Sequence, residues 1–304
     1  MKRDLIKKSV KKNKPLVHGE SFANGIMMND EENISIAFRK RDGSIGEIIE
    51  NKVSLLKRHQ ILNVFIIRCI IRFFEGSFNQ FYAVEQIKKE DYGEHKIVGS
   101  RCNSKTKTYL IVFLTILAGF ILYFVVPSVI IFYLTRIVMF NVVVLNLIEG
   151  FLRLTIFLLF FVLFVKIGGK NETVFYHGAE HKCVSCYRNG DELTLKNVKK
   201  YPIRLPACGT SLMFLTILFS IPVFLFLNYE NLVLRVVIML VLLPFLIGFS
   251  FEITLRIEKS QTIIARVFSV PGLFLQRFNT REPSDKHLEV AIVALRNLIR
   301  IQEF

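Results

Sequence analysis

Two histidines and one glutamate in the run Tyr176-His177-Gly178-Ala179-Glu180-His181 have the residue types and the spacing of a metal site. His-x-x-Glu-His is the inverted order of a zinc-peptidase motif. On a helix, His177 and His181 are four residues apart and share one face, and Glu180 borders that face. The two imidazoles can hold a divalent metal such as zinc, while Glu180 acts as a base or proton shuttle.

Such a site requires a third ligand, and the sequence offers two candidates at the ends of apolar stretches, Glu252 and Cys208. Thiolates of the nearby Cys183-Val184-Ser185-Cys186 run are a further option, but a lone Cys-x-x-Cys fits small packing residues better. The alternative to a metal site is a metal-free polar cluster in which the histidines hydrogen-bond to Glu149 or Arg281.

Two further pairs of charged residues are candidates for function: one lies within an apolar stretch, and the other lies near the C-terminal end of the chain. Glu149 and Arg153 lie four apart in an apolar run, can pair along a helix, and by position face a bundle interior or a wet cavity. An equally weighted interpretation is a buried pair that only fixes helix packing. Arg281 and Glu282 could clamp an anion or orient a water, but helix capping and lipid headgroup contacts explain them slightly better.

The composition is that of a membrane protein. The chain of 304 residues is 52% hydrophobic and has 29 Phe, which excludes an ordinary soluble globular protein. Four stretches have about the 20 apolar residues that a spanning helix requires. These stretches are residues 109–133, 138–165, 211–227 and 232–251. Short connections join them into two hairpins.

The distribution of charge orients these hairpins. Lys and Arg outnumber acids in residues 1–109, 166–206 and 252–304, which predicts that both termini and the central segment face the cytoplasm of a bacterial plasma membrane. No apolar segment follows Met1, so we expect no cleaved signal peptide. The net charge of +15 suits anionic membrane lipids as partners. The simpler interpretation is that the positive charges only set the orientation of the chain in the membrane.

The predicted fold class is mainly α: a polytopic membrane protein with four transmembrane helices as two hairpins, a small N-terminal β unit and cytoplasmic amphipathic helices. The predicted parts are a basic disordered arm (1–16), a cytoplasmic β unit (17–59), an interfacial or re-entrant helix (60–87), a linker (88–108), the first transmembrane hairpin (109–165), a cytoplasmic segment with the His-x-x-Glu-His run (166–206), the second hairpin (207–251) and a cytoplasmic C-terminal segment (252–304).

Local signals refine this outline. Ile34, Ile36 and Phe38 alternate before the turn residues 41–44, which predicts a β-hairpin. A helix over residues 171–188 places the histidines, Asn189-Gly190 is a typical stop, and Thr194 can cap a short helix over residues 195–200. We expect Pro271-Gly272 to break the chain after the last span.

Several runs in this order resemble the bacterial YqhQ-like membrane proteins. The matching runs are Asn24-Gly25-Ile26-Met27-Met28, Asp42-Gly43-Ser44-Ile45, Asn146-Leu147-Ile148-Glu149-Gly150-Phe151-Leu152-Arg153, Tyr176-His177-Gly178-Ala179-Glu180-His181-Lys182, Cys208-Gly209-Thr210-Ser211, Pro271-Gly272-Leu273, Leu275-Gln276-Arg277, Thr280-Arg281-Glu282-Pro283 and Leu288-Glu289-Val290-Ala291. The resemblance covers most of the chain from residue 18 onward. It implies a metal-dependent enzyme of undefined reaction.

The chain departs from the family pattern at two places. Glu20 and Asn24 stand where the family has Gln and Glu, and Leu205-Pro206-Ala207-Cys208 stands where it has His-Pro-Arg-Cys. If the missing histidine is a metal ligand and the missing arginine binds an anion in the family, this chain binds metal differently or has lost catalysis. A scaffold role tolerates such losses better than an enzymatic role does.

Three functions compete. The first is a membrane-embedded metal-dependent hydrolase. The second is a non-enzymatic accessory of membrane-protein biogenesis, with the translocase or the ribosome as partner, favoured by the positive charge. The third is transport of a small solute or lipid through the buried charges, which is least favoured because four spans without an internal repeat are unusual for a transporter.

Overall fold

The fold was obtained as a computed structural model. It describes residues 17–30, 32–92, 110, 113–114, 117–168, 172–206, 208–227, 231–260 and 262–302. The predicted basic arm and most of the predicted linker lie outside the described residues. The described part is mainly helical with a small N-terminal antiparallel sheet, as the sequence predicts.

The strands are β1 (His18–Ser21), β2 (Gly25–Asn29), β3 (Asn33–Arg39) and β4 (Ile45–Asn51). The helices are α1 (Leu55–Arg58), α2 (Phe65–Tyr92), α3 (Val126–Leu134), α4 (Val142–Gly168), α5 (Thr173–Asn189), α6 (Leu195–Val198), α7 (Gly209–Phe224), α8 (Leu232–Lys259), α9 (Ile263–Asn279) and α10 (Asp285–Gln302). A short 3-10 turn (Gln60–Leu62) precedes α2, and a π-helical turn (Ile121–Val125) leads into α3.

The four strands form an antiparallel meander in the order β1-β2-β3-β4. The predicted hairpin is confirmed, because Asp42 Oδ1 accepts a hydrogen bond from the Ser44 amide at 2.8 Å and Gly43 adopts a positive φ of 86°. Along β3, side chains alternate between the two faces of the sheet. The sheet is therefore built to be covered on both sides.

Each face of the sheet packs against different helices. Ile26, Met28 and Ala37 join the largest buried cluster, which α5 and α10 complete. On the other face, Phe38 and its neighbours pack against Ala83 of α2. The helix that carries the two histidines and helix α2 thus lie on opposite faces of one sheet.

Three described helices are long and apolar enough to cross a membrane: Leu117–Leu134, Val142–Leu163 and Leu232–Ile257. They correspond to three of the four predicted spans and indicate a membrane protein. The remaining predicted span corresponds to α7, an apolar helix of 16 residues, which is shorter than the roughly 20 that a full crossing requires.

Local signals predicted helix ends well and one helix break wrongly. Gly190 ends α5 in the left-handed conformation with a φ of 81°, and Thr194 caps α6 by accepting from the Asn197 amide. Helix α9, however, runs through Pro271 instead of breaking there. Proline removes one hydrogen bond from the helix, and contacts of this helix with α7 and α8 hold the two halves together.

A buried ionic cluster joins the apolar helices. Glu149 of α4 pairs with Arg153 on the same helix and with Arg235 of α8, and all three side chains are buried. Ser128 of α3 donates to Glu149 Oε1 at 2.6 Å, and Arg235 Nη2 donates to Asn146 Oδ1 at 2.6 Å. The interhelical ion pair of Glu149 is thus formed with Arg235 of α8. One carboxylate therefore links three of the apolar helices.

We predict that Glu149→Gln strongly destabilises the protein, because it removes the buried carboxylate that pairs with two buried guanidinium groups. The expected loss is about 3 kcal/mol or more. The measurement is thermal unfolding of the detergent-solubilised protein. The matched control is Glu289→Gln, which removes the half-exposed pair of Glu289 with Arg39 and should cost about 1 kcal/mol or less. Equal losses in the two variants would contradict a central role for the cluster.

Candidate metal centre

His177, His181 and Cys208 bring three potential metal-binding atoms together. One ring nitrogen from each histidine and the Cys208 sulfur all lie within 4.8 Å of one another. His177 Nε2 and Cys208 Sγ are 3.3 Å apart. His181 and Cys208 are buried, and His177 is partly buried. Among the described residues, this is the group of His, Cys, Asp or Glu side chains that is close enough to share an ion.

Each imidazole ring is held by a backbone carbonyl near its Nδ1 atom. His177 Nδ1 lies 3.1 Å from the Asn279 carbonyl oxygen, and His181 Nδ1 lies 2.7 Å from the Ile203 carbonyl oxygen. A carbonyl can only accept, so each Nδ1 carries a proton, and in the neutral imidazole the lone pair is then on Nε2. Histidine ligands of metals are typically oriented by such a second hydrogen bond.

Helix α9 positions the segment that carries Cys208. The fully buried Gln276 accepts from the Leu205 amide at 3.0 Å and donates to the Leu205 carbonyl at 2.8 Å. One turn further on, the Asn279 side chain donates to Thr210 Oγ1 at 2.7 Å. Residues on one face of α9 therefore hold both ends of the segment, and the Asn279 carbonyl orients His177.

Helix α5 is seated directly on the chain that follows α9. A Cβ added at Gly178 would overlap the backbone carbonyl oxygen of Arg281 and would touch Pro283. The Arg281 amide also donates to the Val174 carbonyl at 3.0 Å. A side chain at this position would prevent the close approach. The residue that directly follows the first histidine of the run, Gly178, therefore has to be glycine.

Glu180 lies beside the donor group in an enclosed environment. Its Oε2 is 4.0 Å from His177 Nε2. Burial raises the pKa of Glu180, while the nearby His177 and Arg188 act in the opposite direction. The backbone of β1 passes so close that a Cβ at Gly19 would overlap the Glu180 side chain.

A second carboxyl group, Glu20 of β1, stands next to Glu180. Burial, and then the Glu180 carboxylate, raise the pKa of Glu20 to about 8. Within the described part of the chain, the buried Glu20 Oε2 has no hydrogen-bond partner. Near neutral pH, Glu20 therefore keeps its proton.

The donor set fits a divalent metal of borderline softness. Two neutral imidazole nitrogens and one thiolate are ligands that zinc accepts, and three protein ligands are typical of a catalytic rather than a structural site. The Glu180 carboxyl group, whose Oε2 lies 4.0 Å from His177 Nε2, is of a chemical type that can act as a base beside such a site.

The other sequence candidates lie elsewhere. Glu252 forms an ion pair with Arg68 of α2 and is not part of the donor group. Glu282 pairs with the buried Lys182 at 2.6 Å, and Arg281 contributes its backbone while its side chain is exposed. Asn24 lies in the exposed turn between β1 and β2, where its carbonyl accepts from the Arg39 amide.

Sequence reasoning missed the residues that position the site rather than form it. Gln276 stands in a run that matches the family and Asn279 lies between two such runs, but nothing in their type or spacing links them to residues 203–210. Cys183 and Cys186 are fully buried and outside the donor group, in agreement with their interpretation as packing residues. The departure at Leu205 leaves the donor group intact, because this side chain packs in the main hydrophobic core.

Comparisons with known proteins agree with the motif pattern. A family model described as "Protein of unknown function (DUF1385)" matches residues 65–301. The uncharacterized protein YqhQ of Bacillus subtilis (strain 168) is 28% identical over 299 residues, covering 95% of this chain and 93% of the relative. No solved structure matches.

We predict that Gly178→Ala destabilises the protein by about 2 kcal/mol, because the new methyl group overlaps a backbone oxygen that cannot move alone. The matched control is Gly119→Ala, where an added Cβ has no neighbour within 4 Å. Thermal unfolding in detergent measures both. A Gly178→Ala protein as stable as the control would contradict the close contact.

We also predict a pH-dependent effect of Glu20→Gln. Glu20 has a pKa of about 8 in the folded protein and an ordinary value of 4.5. As pH rises from 4.5 toward 8, the unfolded chain ionises while the folded protein keeps its proton, so wild-type stability falls. Glutamine removes this loss, and the variant should therefore gain thermal stability over wild type at about pH 8 but not at about pH 4.5.

The exposed Glu192→Gln is the control for the Glu20 measurement. Its melting temperature should follow that of the wild type at every pH. Parallel pH profiles for wild type and Glu20→Gln would show that Glu20 ionises normally.

Proposed function

This chain belongs to the DUF1385 family, and from that premise and the donor geometry we propose that it is a membrane-embedded, metal-dependent hydrolase. The observation that supports the proposal is the convergence of His177, His181 and Cys208 within 4.8 Å. The hydrogen bonds of both Nδ1 atoms to backbone carbonyls support it, because histidine ligands of metals are typically oriented by such a second contact.

In this proposal His177, His181 and Cys208 hold a divalent metal, with zinc the ion that the donor set fits best. Bound at such a site, the ion acts as a Lewis acid that polarises a carbonyl or phosphoryl oxygen and makes water more acidic. Glu180 accepts the proton of the attacking water at its carboxylate. Glu20, which keeps its proton near neutral pH, donates to the leaving group.

The proposed arrangement in the membrane has four spans as two hairpins, with α7 completing the second hairpin beside α8. Both termini and α5 then face the cytoplasm, in accord with the excess of Lys and Arg in these segments. The site lies at the cytoplasmic boundary of the bilayer, at the start of α7.

A non-enzymatic role beside the translocase or the ribosome is the second candidate. The net charge of +15 favours it, because a basic surface binds ribosomal RNA in a salt-sensitive manner. The two functions differ in their need for a metal, so metal analysis separates them.

We predict that the detergent-purified protein contains about one equivalent of zinc or another divalent ion. His177→Ala/His181→Ala and Cys208→Ala should reduce the content to background, because each removes a ligand. Glu180→Gln should keep its metal, because Glu180 acts as a base and not as a ligand. Multi-element mass spectrometry of the intact protein measures all four samples.

The controls for metal binding are His59→Ala, an exposed histidine, and Cys186→Ala, a buried cysteine outside the donor group. Both should retain wild-type metal content. Background metal in the wild type would refute the hydrolase and favour the accessory role.

A further inference from the structure

A cavity of about 940 Å³ lies beside the donor group. Its walls come from β1, from α2, from the start of α7 and from the last turns of α8. Cys208 lines it on one side, and His18 and Glu20 line it on another. The volume lies within the range of small-molecule sites, about 300–1,000 Å³.

One wall of the cavity is continuous with a candidate membrane span. Phe251, Thr254 and Leu255 line the cavity and belong to the span Leu232–Ile257. Leu212 of α7 and Phe81 of α2 add further apolar side chains to the lining. An apolar ligand surface can therefore be buried against the same helix that forms a candidate span.

The polar lining includes two basic side chains, Lys52 and Arg58, that can contact an anionic ligand. Lys52 binds the neutral Asn79 side chain at 2.7 Å and lies 5.2 Å above the Tyr82 ring, and Arg58 is exposed. Among the described residues, neither Lys52 nor Arg58 pairs with a carboxylate.

The acidic lining residues, in contrast, are already engaged or neutral. Glu75 accepts from Ser54 Oγ at 2.8 Å and from the Leu55 amide at 2.7 Å, and Glu85 pairs with Lys89 at 3.2 Å. Asp30 Oδ1 accepts from two backbone amides. Glu20 is protonated near neutral pH because its pKa is raised to about 8.

We propose that this cavity binds an anionic membrane amphiphile, with the acyl chain on the apolar wall of α7, α8 and α2 and the acidic headgroup at Lys52 and Arg58. The lipid is then the substrate class of the adjacent donor group, and this assignment as substrate, though not the binding itself, rests on the proposed hydrolase function. Charge complementarity and the shared wall with a candidate span favour a lipid over a polypeptide.

The absence of tryptophan from the chain allows a direct binding test. Phe81→Trp places a single fluorophore in the cavity wall, and Phe245→Trp places one on the exposed face of α8, outside the cavity lining. Brominated phosphatidylglycerol or brominated phosphatidylcholine is titrated into each protein in non-ionic detergent, and quenching is recorded.

We expect the anionic lipid to quench Phe81→Trp at an about tenfold lower concentration than the zwitterionic lipid does. Phe245→Trp should respond equally to both lipids. Adding Lys52→Gln/Arg58→Gln should abolish the preference, whereas Lys286→Gln/Arg300→Gln, which removes the same charge from exposed positions of α10, should preserve it.

Three results would overturn the proposal. The first is equal quenching of Phe81→Trp by both lipids. The second is full relief of quenching by inorganic phosphate, which would show that a headgroup anion alone binds. The third is relief by an apolar peptide but not by excess unlabelled phosphatidylglycerol, which would identify a polypeptide site.

Repeating the titration in His177→Ala/His181→Ala separates this inference from the proposed function. A lipid preference that persists in this background supports the cavity even where no metal binds. Conversely, a wild-type protein that contains metal but shows no lipid preference would refute the cavity inference and leave the hydrolase intact.

Discussion

The contact of α9 with the segment before α7 is the interaction on which the candidate site depends. Gln276 satisfies both backbone groups of Leu205, and the Asn279 side chain and carbonyl reach Thr210 and His177. A buried amide that loses such partners costs about 1–3 kcal/mol per unsatisfied group, so the segment is held in one conformation. Through that segment, Cys208 and the Ile203 carbonyl take fixed positions relative to the two histidines.

What the sequence predicted correctly depends on interactions between near neighbours. The face shared by His177 and His181, the stop at Gly190 and the cap at Thr194 each follow from residues within about one helical turn. The hairpin around Asp42 follows from turn chemistry in the same way. Such features require no knowledge of the fold, which is why a single sequence suffices for them.

What the sequence did not predict depends on residues that are far apart along the chain. Arg235 reaches Glu149 across 86 positions, and Gln276 reaches Leu205 across 71. Glu252 was the first candidate for a third ligand and Cys208 the second, since both stand at the end of an apolar stretch, whereas Cys208 is the one that lies with the histidines. Arg68 of α2 pairs with Glu252, and only the packing of α2 on α8 brings these two side chains together.

The position of the donor group at the edge of the apolar helices gives a physical reason for its surroundings. A charged metal site within hydrocarbon would be costly, whereas α5 is enclosed by the sheet, α10 and the segment after α9. Enclosure by protein also explains why carboxyl groups such as Glu20 are kept neutral there, since desolvation is the largest cause of its raised pKa. Charge is instead available at Lys52 and Arg58, farther along the cavity lining. The cavity thus combines an apolar wall with two basic side chains. A ligand that is apolar at one end and acidic at the other matches this lining better than a uniformly polar ligand does.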